Sequence, residues 1–153
     1  MKKERIRYSY SDGFVDGLPI VIGFVPIAMT FGILAKTSSI SLLEGILFSV
    51  LVFAGASQFI ALNLLMVGAG IGEIIVTTLL VNMRHMLMSA SLASRLTKDM
   101  KKWSPLIAFG ITDETFSVSS FKHGTLTKEY MLSLEFIAYL SWVGGTALGY
   151  IVG

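Results

Sequence analysis

The sequence predicts an all-α integral membrane protein with about five membrane segments, at least one of them broken or re-entrant. Three observations predict it. Of the 153 residues, 54% are hydrophobic and only 14% are charged, whereas a soluble domain carries about a quarter charged residues. Uncharged runs such as Gly17–Ala35 and Gly45–Gly72 approach or exceed the roughly 20 residues that a helix needs to cross a bilayer. Stretches such as Ile46–Phe53 are apolar all round, where a water-facing helix would show an apolar stripe opposite a polar face.

Each segment has its own punctuation. The start, Met1–Arg7, is basic but leads into Tyr, Ser and Asp, so it reads as a cytoplasmic tail over residues 1–12, not a signal peptide. Gly17–Ala35 forms a first span, bent or broken near Pro19 and Pro26. Ser41 and Glu44 have capping-box spacing and open a second helix, which Gly55 interrupts and Gly68, Gly70 and Gly72 end. A third segment runs from about Glu73 to Leu96, followed by the polar loop Arg95–Lys102. Ser104 and Pro105 suit an N-cap and a first helical position, opening a fourth segment to about Phe121. After a second polar loop, Phe121–Glu129, a last apolar run extends from Tyr130 to Val152. Tyr130, Tyr139, Trp142 and Tyr150 are its candidate interface anchors.

The charges then set a topological problem. The tail and the Arg95–Lys102 loop are both basic, so the positive-inside rule puts both on the cytoplasmic side. Three full spans between them would place them on opposite sides. Either one of the three is re-entrant or broken or the rule fails locally, and the candidates are the first, with its prolines, and the second, with its glycines. Irregular backbone at membrane depth is tolerated only where it lines protein or a watery cavity, which hints at a pore or binding site.

Three polar groups inside apolar segments are the candidate functional residues. Asn82, Arg84 and His85 lie near the middle of the third segment. An Arg at mid-span costs about 2.5–3.5 kcal/mol on insertion scales, so it needs a partner or a task; the alternative is that it snorkels to an interface. Asn82, His85 and Ser89 share a helix face by their spacing of three and four. Asp113 and Glu114 are adjacent carboxyls in the fourth segment; at least one must meet water, a partner or a proton. Arg84, with His85, is their natural counter-ion, as a static packing pair or as a gate or proton-linked switch. In Phe53–Phe59, Gly55 lets a helix unwind while Ser57 and Gln58 add uncharged polar groups. Amides freed at such a break suit a carboxylate, although small residues also serve plain helix packing.

Other chemistries find little support. There are no cysteines and two histidines, no spaced metal motif and no phosphate-cradling glycine loop, so neither a cofactor nor an ATP-driven engine is expected. The net charge of +2 is too small to suggest nucleic acid. A triad assembled from Ser89, His85 and Asp113 lacks a nucleophile turn, so the chain is not expected to be an enzyme.

At these same residues the chain resembles the AzlC family of branched-chain amino acid permeases, the larger subunit of a two-component exporter. The resemblance rests on Gly23–Gly32, Phe53–Phe59, Asn82–Ala90 and Thr112–Ser117, in order, and covers the chain from about residue 13 to the end. It implies a transmembrane permease domain over 13–153 in the bacterial cytoplasmic membrane, exporting branched-chain or similar small amino acids on an ion gradient. It implies a short hydrophobic partner of the AzlD type, and the reading admits a homo-oligomer. The substrate or coupling residues would be Gly55, Ser57, Gln58, Asn82, Arg84, His85, Asp113 and Glu114. Family members typically continue past the point matching Gly153, so the chain is expected to be incomplete at its C-terminus relative to the family. The alternative function is a non-transporting assembly or regulatory subunit of a membrane complex.

Overall fold

The computed structural model describes residues 7–153, apart from the side chain of Lys98. Most of the expected basic tail, residues 1–6, lies outside the described residues. The rest is helical: α1 (Tyr10–Thr37), α2 (Leu42–Leu51), α3 (Gly55–Met66), α4 (Ile71–Ala93), a short 3-10 helix (Lys98–Trp103), α5 (Ser104–Gly110), α6 (Asp113–Ser120) and α7 (Lys128–Val152). At 1.5 Å per residue, α1, α4 and α7 are about 42, 35 and 37 Å long, enough to cross a hydrocarbon core of about 30 Å. These three are also the helices apolar enough to do so. The chain divides into two compact units, one made of the residues up to Val21 with His85–Tyr139, the other of Ile22–Arg84 with Leu140–Gly153.

Local chemistry explains the helix ends. Ser9 donates from its amide and its hydroxyl to Asp12 Oδ2 (2.7 and 2.8 Å), which fixes the start of α1. The helix then runs without a break through Pro19 and Pro26, contrary to the expected interruption. Tertiary packing on both sides of the prolines outweighs the lost amides: Gly13 and Gly17 lie against α7 before them, and Gly32 after them. The predicted capping box is formed, with Ser41 accepting from the Glu44 amide (3.3 Å) and Glu44 accepting from the Ser41 amide (2.8 Å). Gly68 takes a positive φ of 74° after α3, and the next amide returns to the Leu64 carbonyl (2.9 Å). The fourth predicted segment differs from expectation. It is divided at Ile111 and Thr112 into α5 and α6.

In the Ile22–Arg84 unit, α2 and α3 form a hairpin and do not cross. Laid end to end, helices of 10 and 12 residues would hold their outer ends more than about 30 Å apart. Instead Glu44 and Phe48 of α2 share one cleft with Leu62 and Met66 of α3 and with Ser38 and Ser39, just past α1. Phe31 of α1 packs against both Phe48 and Phe59, at 5.9 and 5.5 Å between ring centres. The hairpin thus hangs from the C-terminal end of α1. Its turn, Val52–Ala54, reaches Phe24 of α1 through Phe53 (6.2 Å) and Trp142 of α7 beside Gly55.

The other unit contains a second, shorter hairpin, α5–α6. Arg95, just past α4, holds its C-terminal end by donating to the carbonyls of Ser119 (3.0 Å), Ser120 (3.2 Å) and Lys122 at the close of α6, where helix carbonyls lack partners of their own. Lys128, the first residue of α7, lies over the Trp103 ring. Tyr8, ahead of α1, donates its hydroxyl to the His123 carbonyl (2.9 Å), and its own carbonyl accepts from Thr127 (2.6 Å). The start of α1 and the end of α4 therefore lie at the same end of this unit. α1 and α4 are long and apolar enough to cross a membrane, and the glycine-bearing α2–α3 segment between them is the broken one.

In both units α1 and α7 run parallel and touch through glycines. A Cβ on Gly13 would meet Ser133 and the Tyr130 carbonyl, and one on Gly17 would meet Ile137. Farther along, Gly32 faces the Thr146 carbonyl, while Gly145 and Gly149 face the backbone of Val25 and Met29. Gly145, Gly149 and Gly153 are spaced by four, the small-residue pattern that lets membrane helices approach closely. Two expected interface anchors are interior as a result. Tyr130 and Trp142 are buried, with Tyr130 donating to Asp16 (2.9 Å) and Trp142 to Gln58 (2.7 Å), because a buried ring with a polar tip needs a hydrogen-bond partner more than a position at the headgroups. By contrast, α4 exposes Leu79, Leu80, Met83, Met86 and Leu87, the surface a lipid-facing helix presents.

Candidate functional site

The first break lies between α2 and α3. The Ala54 amide turns back onto the Val52 carbonyl (2.8 Å), and α3 begins at Gly55 with no side-chain cap. The opening amides of any helix have no intrahelical acceptor, so Gly55, Ala56 and Ser57 present theirs at the break, reinforced by the helix dipole. The side chains singled out here are engaged. Ser57 Oγ donates to the Ala54 carbonyl (2.9 Å). Gln58 is fully buried, accepting from Trp142 Nε1 and donating to Ser49 Oγ (3.2 Å), which is itself bonded to Thr146 Oγ1 (2.8 Å). This chain of four side chains fixes the break against α7. Gly55 makes room for it, since a Cβ there would lie 2.6 Å from the Trp142 ring.

The second break lies between α5 and α6 and is built differently. Thr112 caps α6, its hydroxyl accepting from the Thr115 amide (3.3 Å) while the Thr115 hydroxyl accepts from the Thr112 amide (2.8 Å). Thr115 also donates to the Gly110 carbonyl (3.1 Å), closing the turn. Asp113 and Glu114 occupy the first turn of α6 and are exposed. They are therefore not at mid-helix, as the undivided segment implied, but at a helix start, where the dipole favours negative charge. Their carboxylates need no burial to be accommodated there.

Asn82, Arg84 and His85 lie half-buried in α4. Asn82 Oδ1 is shielded and has no hydrogen-bond partner among the described residues. Gly55, Ser57, Gln58, Asn82 and Arg84 belong to the unit containing Ile22–Arg84, whereas His85, Asp113 and Glu114 belong to the other. Among the described residues no three His, Asp or Glu side chains gather as metal ligands would.

One further residue stands out that the polar motifs did not mark. Glu135 of α7 is only 4% exposed, and its Oε1 has no hydrogen-bond partner among the described residues. It packs against Gly110, where a Cβ would come within 2.6 Å of its carboxyl group. A lone carboxylate in the apolar run Tyr130–Val152 was open to the same cost reasoning that marked Arg84. No second charged residue accompanies it in that run.

Three helices long and apolar enough to cross a membrane and two hairpins of interrupted helices define a multi-pass helical membrane protein. The chain belongs to the AzlC family, whose model, described as "AzlC protein", matches residues 19–153. It is 38% identical over 144 residues to an uncharacterized membrane protein of Archaeoglobus fulgidus, an alignment covering 94% of this chain and 63% of that protein. It is 35% identical over 150 residues to the inner membrane protein YgaZ of Escherichia coli (95% and 61% covered). It is 29% identical over 155 residues to the branched-chain amino acid transport protein AzlC of Bacillus subtilis (99% and 61% covered). The chain thus spans less than two thirds of the length of these relatives. No solved structure gives a significant match.

Proposed function

We propose that this chain is the substrate-carrying part of a secondary transporter that exports branched-chain or similar small amino acids across the bacterial cytoplasmic membrane, driven by the proton gradient. The observation that carries the reading is the contrast between the two breaks. The start of α3 offers uncapped amides, which suit a carboxylate. The start of α6 is already capped and carries two exposed carboxylates, which suit an ammonium. An amino acid has both groups. Family membership and the name of the Bacillus subtilis relative support the substrate class.

In this reading the carboxylate meets the amides of Gly55–Ser57 or the Arg84 guanidinium, and the ammonium meets Asp113 or Glu114. Gln58 acts by holding the break in place. If Arg84 pairs with an acidic residue in one state, substrate competes for that pair and favours the other state; His85, its neighbour on α4, is a second coupling candidate. The end of the protein that carries Arg7, Arg95, Lys101, Lys102 and Lys122 faces the cytoplasm. A small AzlD-type membrane subunit completes the exporter.

The test is efflux of preloaded labelled leucine from cells carrying the chain with its small partner, compared with Arg84→Ala and Asp113→Asn at matched membrane abundance. Both substitutions should abolish efflux while insertion and partner binding persist. Efflux that survives both would make these charges packing or assembly features.

A further inference from the structure

We propose that the groove over Glu135 binds a primary ammonium borne on a short aliphatic body, with the ammonium at the Glu135 carboxyl group and the body among the surrounding rings. The site is distinct from both helix breaks assigned above and does not depend on the transport reading.

The groove lies between the start of α1, the stretch from Leu106 to Gly110 of α5 and the stretch from Leu132 to Tyr139 of α7, and has a volume of about 510 Å³, within the range of roughly 300–1,000 Å³ typical of small-molecule pockets. Its walls are largely aromatic, including Phe14, Phe109, Phe136 and Tyr139. Phe109 and Tyr139 meet edge to face at 6.0 Å. Glu135 is the only ionisable carboxyl in this lining, and the lining holds no basic residue. The one hydroxyl beside it on α7 that belongs to a serine, Ser133, is already committed to the carbonyls of Glu129 and Tyr130 (2.9 and 3.0 Å).

A buried carboxyl with an unsatisfied oxygen costs several kcal/mol in apolar surroundings unless something supplies a donor. No described residue of the walls bonds to Oε1, and the proposed occupant supplies a donor to the carboxyl group. A cation satisfies the carboxylate, and aromatic faces reinforce it by cation–π attraction. A short branched or linear chain fills the remaining apolar space. Gly110 contributes by its lack of a side chain, because a methyl there would displace the carboxyl from its place.

The probe is labelled 3-methylbutylamine, measured by equilibrium dialysis against micelles with and without the purified full chain, so that partition into detergent is subtracted. The isosteric alcohol 3-methylbutanol is the uncharged control. Saturable amine binding is expected, weakened at least tenfold by Glu135→Gln and several-fold by Phe136→Ala, a change at an exposed position that leaves the helix content intact. The alcohol should show no saturable binding. The proposal is overturned if the native chain binds no amine saturably, if Glu135→Gln binds it equally well while retaining native helix content, or if the alcohol binds as tightly as the amine.

Discussion

Replacing Gly149 by Ala adds one methyl group at the closest approach of α1 and α7. That methyl would lie 2.0 Å from the Met29 carbonyl oxygen and 2.4 Å from Met29 Cα. Ordinary contact begins at 3.4 Å, so the α1 backbone has to retreat by more than an ångström. No flexible side chain can yield in its place, because the atoms met are backbone. Overpacking of this kind costs about 1–3 kcal/mol, and here the upper end applies, since separation also loosens the neighbouring contacts of Gly32 and Gly145. Against this stands the better helix propensity of Ala, worth up to about 1 kcal/mol. The net expectation is destabilisation by about 2 kcal/mol. Gly144 provides the control on the same helix: a Cβ there meets nothing within 4 Å, so Gly144→Ala should be neutral or stabilise by up to about 1 kcal/mol. The assay is reversible unfolding in mixed micelles on adding dodecyl sulfate, followed by circular dichroism and by the fluorescence of Trp103 and Trp142. The two variants should differ by about 3 kcal/mol, more than a hundredfold in the unfolding equilibrium. Equal stabilities, or a more stable Gly149→Ala, would refute the glycine-mediated packing of α1 on α7.

Two further outcomes follow from the hairpins. Gln58→Leu strands the Trp142 N–H in the interior and takes one donor from Ser49 Oγ, which keeps its bond to Thr146; this should cost about 1–3 kcal/mol. In a double-mutant cycle with Trp142→Phe, the coupling should be about 1 kcal/mol, within the range seen for hydrogen bonds in membranes, and an additive cycle would remove that bond from the account. The chain has no cysteine, so single cysteines can report topology directly. Ser39→Cys and Gly70→Cys should react with an impermeant thiol reagent from one side of the membrane, and Ser94→Cys and His123→Cys from the other; labelling of Ser39 and Gly70 from opposite sides would show that α2–α3 crosses.

Hydropathy and punctuation determined much of this protein before any tertiary contact was considered. The uncharged runs located the first two apolar segments and the polar loops bounded the rest, because the cost of a charge in lipid is local to the residue that carries it. Ser41 and Glu44 marked the start of α2, since a capping box closes within four residues. Under the positive-inside rule, two basic segments separated by three apolar runs required that one run fail to cross. Which run failed was a tertiary matter. Pro19 and Pro26 suggested α1, yet its packing on α7 through Gly13, Gly17 and Gly32 keeps it continuous. The chain turns back at Val52–Ala54 because Phe53 and Gly55 meet Phe24 and Trp142 there, residues distant in sequence. The same holds at Thr112, where a capped turn converts an apparent mid-membrane pair of carboxyls into the start of a helix. Glu135 shows the limit most clearly. Its sequence surroundings are ordinary for an apolar helix, and only the approach of Gly110 and the aromatic walls makes it a buried carboxyl facing a cavity. A segment that is apolar on every side can be recognised as a membrane helix, but nothing in its pattern says which side faces protein, so the direction of the chain and the partners of its polar residues are decided by packing.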